Sequence, residues 1–235
     1  MTTQTHASKT KLLDAALQVF RTKGYTATTV DDICHTAGVS KGSFFHHFKG
    51  KEELAIESTR YWTEVTSGLF ASAPYQQIAD PRERALAYID FRAQILQGKL
   101  PGFTCLLGTM VQETFETHPA IRDACWVGID THAQTIAKDI AQARALYAPD
   151  ADWTAQGLAH YTQAALQGAF ILAKAQGTAQ MAAECVAHLR RYVALVLKSI
   201  TPPPAKISKL WQFRLPQFDH LPSGDALQSF NKEPS

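Results

Sequence analysis

At 235 residues, with 46% hydrophobic and 19% charged side chains, the chain has a globular composition and the length for a small domain joined to a larger one. That composition excludes a disordered polymer, and no apolar run approaches the ~20 residues needed to span a bilayer. A formal net charge of +2 is too small to argue for or against a polyanionic partner.

The chain opens on MTTQTHASKT, which is polar and lacks the apolar stretch of a secretory signal, so a cytoplasmic protein with no membrane partner is expected. Within residues 1–50, Lys9, Lys11, Arg21, Lys23, Lys41 and Lys49 stand against Asp14, Asp31 and Asp32, a small basic excess that fits a DNA-facing end without establishing one. A first helix is predicted over about 9–23, with Leu13, Leu17 and Phe20 on one face and Gly24 ending it. Thr28 or Thr29 caps a short second helix through Asp32–Thr36, Gly38 breaks it, and Ser40 starts a third. Lys51-Glu52-Glu53 opens a fourth that runs to about residue 68, and 71–80 reads as a linker.

Further helices are predicted at about 81–98, 104–116, 119–147, 152–176 and 178–200, separated by glycines and prolines that end helices for backbone reasons. No segment alternates long enough for a strand, so the fold class is all-α with about nine helices. Thr201-Pro202-Pro203-Pro204 stops the last helix, and 201–235 reads as an irregular tail with Trp211, Phe213, Phe218 and Phe230 among prolines. The boundaries expected are 1–52 for a DNA-binding head, whose fourth helix continues to about 70, then a body over 71–200 and the tail.

The informative segment runs from Thr28 to Leu54. Two short helices about a tight turn at Gly38 make a rigid angle that lets the second enter a major groove while the first crosses the backbone. Ile33, Ala37, Val39, Phe44 and Phe48 have the spacing of a core shared with Leu13, Leu17 and Phe20. That leaves Lys41, Gly42, Ser43, Phe45 and His47 facing outward, short or polar groups suited to base edges and phosphates.

The pattern Gly24-Tyr25, Thr28-Thr29-Val30, Ile33, Ala37-Gly38-Val39-Ser40-Lys41-Gly42-Ser43, Phe45, Phe48 and Lys51-Glu52-Glu53-Leu54 resembles the N-terminal domain of the TetR family of transcriptional regulators. The resemblance implies that Thr28 and Thr29 at the second helix and Lys51 at the fourth lie against phosphates, helped by helix N-terminal amides. It places Lys41, Gly42 and Ser43 against bases, and Phe45 and His47 against the DNA backbone. Phe45 departs from the family, which often carries a tyrosine there, and has no hydroxyl to donate. Thr28, Thr29 and Ser40 serve as helix caps on any reading.

In the body, Pro101-Gly102-Phe103-Thr104-Cys105-Leu106-Leu107-Gly108 resembles the branch of the family with a Gly-x-x-Cys-Leu-x-Gly entry into its sixth helix, some members of which respond to electrophiles or oxidants. A thiol in the first helical turn feels the positive end of the helix dipole, which raises its thiolate fraction. The other reading of Cys105 is a small buried hydrophobe, as for Cys34, Cys125 and Cys185. None of the four cysteines is spaced for a zinc site or a disulfide scaffold. Phe91, Phe103 and Trp126 are the candidate aromatic walls of an effector cavity, with Ile95, Leu107, Phe115, Ile129, Tyr161 and Phe170 as further lining. Small residues of the last two helices (Ala164, Ala165, Gly168, Ala169, Ala173) match a four-helix homodimer interface, which the resemblance implies.

The function expected is a repressor that leaves double-stranded operator DNA when a small organic or electrophilic effector binds. Two alternatives stand beside it: a dimeric helical interaction protein without DNA binding, and a metal-responsive regulator on the same scaffold. His46, His47, His118, His132, His160 and His188 form no recognised catalytic or metal spacing, so no enzyme activity, metal or cofactor is expected.

Overall fold

The computed structural model describes residues 2–198, with side chains from residue 7 onward, and among these residues the chain is helical with no strand. The head comprises α1 (Thr2–Lys23), α2 (Val30–Ala37) and α3 (Lys41–His47), and α4 (Lys51–Ala71) leads out of it. The body follows with α5 (Pro81–Gln94), a single turn α6 (Leu100–Phe103), α7 (Leu106–Thr114), α8 (Pro119–Tyr147), α9 (Ala155–Gln176) and α10 (Gln180–Val196). Among the described residues no helix is long and apolar enough to cross a membrane.

Local chemistry accounts for the breaks. Thr29 starts α2 with a reciprocal capping box, its hydroxyl accepting the Asp32 amide while the Asp32 carboxylate accepts the Thr29 amide. Gly38 ends the helix at φ 64°, ψ 37°, the left-handed geometry that glycine adopts without a Cβ penalty. Ser40 caps α3 by accepting from the Ser43 amide at 3.2 Å. Asp80 and Thr154 cap α5 and α9 in the same way, and Pro119 opens α8 where a missing N–H costs nothing.

Three departures from the sequence-based expectation have simple causes. Residues 2–8 carry no apolar periodicity, yet they extend α1 beyond the predicted start at residue 9. The predicted linker holds a 3₁₀ turn (Pro74–Gln77) pinned by buried Tyr75, so it packs on the body. Pro101 permits one helical turn, α6, before Thr104 and Cys105 return to extended backbone, so ten α-helices replace the expected nine among the described residues. The predicted 201–235 tail lies outside the described residues.

Two apolar cores organise the chain. One joins Leu13, Leu17, Phe20, Ile33, Phe44 and Phe48 of the head to Leu106, Leu107 and Met110 of α7 and to Ile121 and Cys125 of α8. The other lies inside the body, between α5, α8, α9 and α10, and includes Ile89, Ile136, Ile140, Leu166, Phe170, Val186 and Leu189. The head thus completes its core with body residues, and the described residues form one compact unit.

Within the body, the Tyr88 hydroxyl lies 2.9 Å from Nε2 of His132 and accepts from the Gln163 side chain at 3.3 Å. Burial, helped by the nearby Arg92 charge, pulls His132 down to about 3 from its ordinary 6.5. The unfolded chain therefore binds a proton that the folded chain refuses, and stability falls as pH drops below about 6.5. Thermal unfolding between pH 6.5 and 4.5 should show a midpoint that declines on acidification in the parent and declines less in His132→Leu. Equal slopes in the two proteins would remove His132 from this account.

Candidate nucleic-acid interface and effector cavity

The α2–turn–α3 unit is anchored from within. Phe44 is fully buried, Phe48 is nearly so, and their rings pack 5.7 Å apart. Phe45, one residue on, points the other way and is 58% exposed, its edge set against Phe44 at 5.1 Å. Lys41 and Gly42 share this exposed face, and Ser43 lies half-buried at its margin. A Cβ on Gly42 would meet the Ser40 Oγ only at 3.7 Å, so no contact inside the protein calls for glycine there.

Several predicted contacts are placed differently from expectation. Thr28 is 1% exposed and donates its hydroxyl to the Gly24 carbonyl at 2.5 Å, so it secures the loop and is turned away from any DNA surface. Thr29 is exposed beside the α2 N-terminus, with its hydroxyl committed to Asp32. Lys51 points its ammonium into the α1–α2 loop, where the carbonyls of Tyr25 and Thr28 accept at 2.9 and 2.8 Å and that of Thr26 at 3.4 Å. An ammonium has three N–H donors, and all three are occupied. The Tyr25 ring lies 4.3 Å below, and burial draws Lys51 under its ordinary value while Glu113 acts the other way.

The basic excess of the head is likewise largely engaged within the protein. Lys23 pairs with Asp32 at 2.7 Å, Lys41 with Asp31 at 2.8 Å and Lys9 with Glu57 at 3.6 Å. The Lys23 contact and the Thr29 hydrogen bonds hold Asp32 far below the usual carboxylate range. His47 is half-buried against the Ser8 hydroxyl at 2.7 Å, and burial, then His46 and Lys9, lower its pKa. The imidazole is therefore neutral near pH 7 and acts by hydrogen bonding.

A second feature is the joint between head and body. Gly24, at φ 81°, lets the chain pass so close to α7 that an added Cβ would lie 2.1 Å from the Glu113 Oε1. The Glu113 carboxylate accepts the Thr26 amide at 2.9 Å, and the His118 ring meets Tyr25 edge-on at 5.0 Å. Arg21 adds another tie, its guanidinium 4.8 Å from the Trp62 ring of α4 and its Nε donating to Leu17. Sequence reading does not find the contact of Glu113 with the α1–α2 loop, because a single glutamate on a helix carries no signal of its distant partner.

Trp62 also walls a cavity in the body, together with Thr63, Thr66 and Phe70 of α4, Phe103, Cys105, Leu107, Ile129, Phe170 and the polar groups Arg92, His132, Gln163 and Gln167. Four predicted lining residues are present: Phe103, Leu107, Ile129 and Phe170. Phe91 stands behind the wall, packed on Phe70 and Tyr75, and Trp126 is 56% exposed beside His160. Phe115 and Tyr161 are exposed as well. Apolar character alone did not separate these residues, because α8 and α9 carry apolar side chains on their outer faces too. Cys105 is the half-buried residue immediately before α7, a wall of this cavity and of an adjoining one of about 260 Å³. Among the described residues no three His, Cys, Asp or Glu side chains are grouped to hold a metal.

Comparison with known proteins bears on both halves. Residues 12–57 match the family described as bacterial regulatory proteins of the TetR type, and residues 81–188 match the C-terminal domain of LmrA/YxaF-like transcriptional regulators. The chain is 30% identical over 119 residues to the uncharacterized HTH-type transcriptional regulator YxaF of Bacillus subtilis, covering 50% of this chain and 62% of YxaF. It is 39% identical over 77 residues to the HTH-type transcriptional repressor KstR2 of Mycolicibacterium smegmatis, covering 33% of this chain and 35% of KstR2. The chain thus spans less than two thirds of either relative. A TetR transcriptional regulator from Chloroflexus aurantiacus superposes with a TM-score of 0.71 at 25% identity, over 81% of this chain and 96% of that one. With the helix-turn-helix head and the helical body each matched in turn, the chain belongs to the TetR family.

Proposed function

We propose that the protein is a cytoplasmic, homodimeric transcriptional repressor that reads operator DNA with α3 and leaves it when an effector enters the cavity behind α4. The observation that carries this reading is the exposed face of Lys41, Gly42 and Phe45 with half-buried Ser43 at its margin, held rigid by buried Phe44 and Phe48. The family match and the named repressor KstR2 among its relatives support the direction of control.

Dimerisation is supported by an outward apolar stripe. Tyr161, Ala164, Gly168 and Leu172 of α9 recur at helical spacing, and Tyr192 and Leu195 of α10 stand exposed beside them, with the two tyrosine rings 5.0 Å apart. Ala169 and Ala173, counted above among the interface candidates, are buried inside the body instead. A two-fold pair would present two recognition helices to successive major grooves.

Release follows from the shared elements. The same helix, α4, carries Lys51 against the head and Trp62, Thr63, Thr66 and Phe70 against the cavity. A molecule filling the cavity displaces that helix and, through Lys51, Arg21 and Glu113, the loop that sets the α2–α3 unit. Cys105 borders the cavity, so an electrophile that alkylates its sulfur would act at the same wall.

Retardation of the DNA upstream of the protein's own coding sequence tests the assignment. Lys41→Ala and Ser43→Ala should each cost about 1–3 kcal/mol on the preferred sequence and relax preference at the base pairs they face. Lys51→Met should weaken binding to all sequences while leaving the salt dependence unchanged, because its ammonium serves the loop and not a phosphate. A flattened salt dependence in Lys51→Met, or equal effects from all three, would overturn these roles. For the thiol, N-ethylmaleimide should release the parent from DNA and leave Cys105→Ser bound; identical release of both would make Cys105 a packing residue only.

A further inference from the structure

Arg92 is the only Asp, Glu, Lys or Arg among the residues lining the cavity, and among the described residues no carboxylate pairs with it. Its guanidinium lies 5.0 Å from the Phe70 ring, 5.9 Å from Phe170 and 6.0 Å from Tyr88. Among the described residues its buried Nε has no hydrogen-bond partner. Arg84 pairs with Asp139 at 2.8 Å and Arg190 with Asp90 at 2.6 Å, while Arg144, whose Nε is also buried without a partner, lies outside this cavity and donates through Nη2 to the Ala151 carbonyl. Cation–π contact offsets part of the cost of drawing a guanidinium out of water, but it leaves the Nε donor without an acceptor. A guanidinium fork matches a planar carboxylate with two parallel hydrogen bonds.

The surroundings fit such a guest. No carboxylate lines the inner cavity around Arg92 to repel an anion, and the neutral imidazole of His132 adds no second charge there. The inner space is about 50 Å³, enough for a carboxylate and its first carbons. It shares Cys105, Gln167 and Phe170 with the adjoining space of about 260 Å³, where Phe170 and Ile171 offer apolar surface beside the polar Thr109, Gln112, Glu113 and Lys174.

We propose that the effector is an organic carboxylate, its anionic head paired with Arg92 and its apolar body lying along Phe103 and Phe170 toward the outer cavity. The inference rests on the reading of the protein as an effector-released regulator and names the chemical class of that effector. Calorimetric titration of the full chain with octanoate, hexanoate and 3-phenylpropionate, each against its primary amide, tests it. At least one acid should bind about ten-fold or more tightly than its amide, the gain of a charge-assisted over a neutral hydrogen bond. Arg92→Gln should lose that preference and Arg92→Lys should keep it. Melting curves establish that the variants fold; should the Gln variant not fold, loss of preference in Arg92→Lys would count against the proposal as well. The proposal fails if no acid outbinds its amide, including the case where none binds, or if Arg92→Gln retains the preference. Retardation of the upstream DNA by the same samples separates the two readings. DNA binding without acid preference overturns only the carboxylate, and acid preference without DNA binding overturns only the regulator.

Discussion

The loop between α1 and α2 is the point on which the rest of the structure turns. From below, the Lys51 ammonium gathers three of its carbonyls; from the side, the Glu113 carboxylate takes the Thr26 amide. Gly24 makes the approach possible, since a side chain there would push the Glu113 carboxylate from its place and would sit on left-handed backbone. Hydrogen bonds with a charged partner are worth roughly 1.5–3 kcal/mol when shielded and less at a surface such as this one. Several acting on one six-residue segment are nevertheless enough to fix where α2 begins, and with it the angle of α3.

That arrangement makes the head and the body parts of one packed object. The head's apolar core is finished by Leu106, Leu107 and Met110, residues of the helix that Cys105 introduces. Movement of the cavity wall therefore has a short physical route to the exposed face of α3. It runs from Trp62 through Arg21 to α1, and from α7 through Glu113 to the loop. Each step is a contact between packed neighbours, so a shift of one wall re-seats the others rather than being absorbed.

Much of the head was legible in the amino-acid sequence because its signals are local. Capping residues, the glycine turn and the three- and four-residue spacing of Leu13, Leu17, Ile33, Phe44 and Phe48 each report on their own few neighbours. The fate of individual polar groups was not legible in the same way. The resemblance set Thr28 and Lys51 against phosphates, but their partners, Gly24 and the Tyr25–Thr28 carbonyls, become visible only once the loop is folded back. In the body, periodicity found the helices but not the cavity. Trp126 and Phe170 are alike as letters, and only the packing of α8 against α9 puts one outside and the other on the wall. Arg92 gave no signal at all, since an arginine at the end of an amphipathic helix is ordinarily solvated.

The central claim is that the contact between α7 and the α1–α2 loop sets the DNA-reading angle, and the affinity of Glu113 variants for the upstream DNA tests it most directly. Glu113→Ala, which removes the acceptor for the Thr26 amide, should weaken binding about ten-fold with the head still folded, whereas Glu113→Gln, which retains a carbonyl acceptor, should lose much less. Parental affinity in Glu113→Ala would contradict the account.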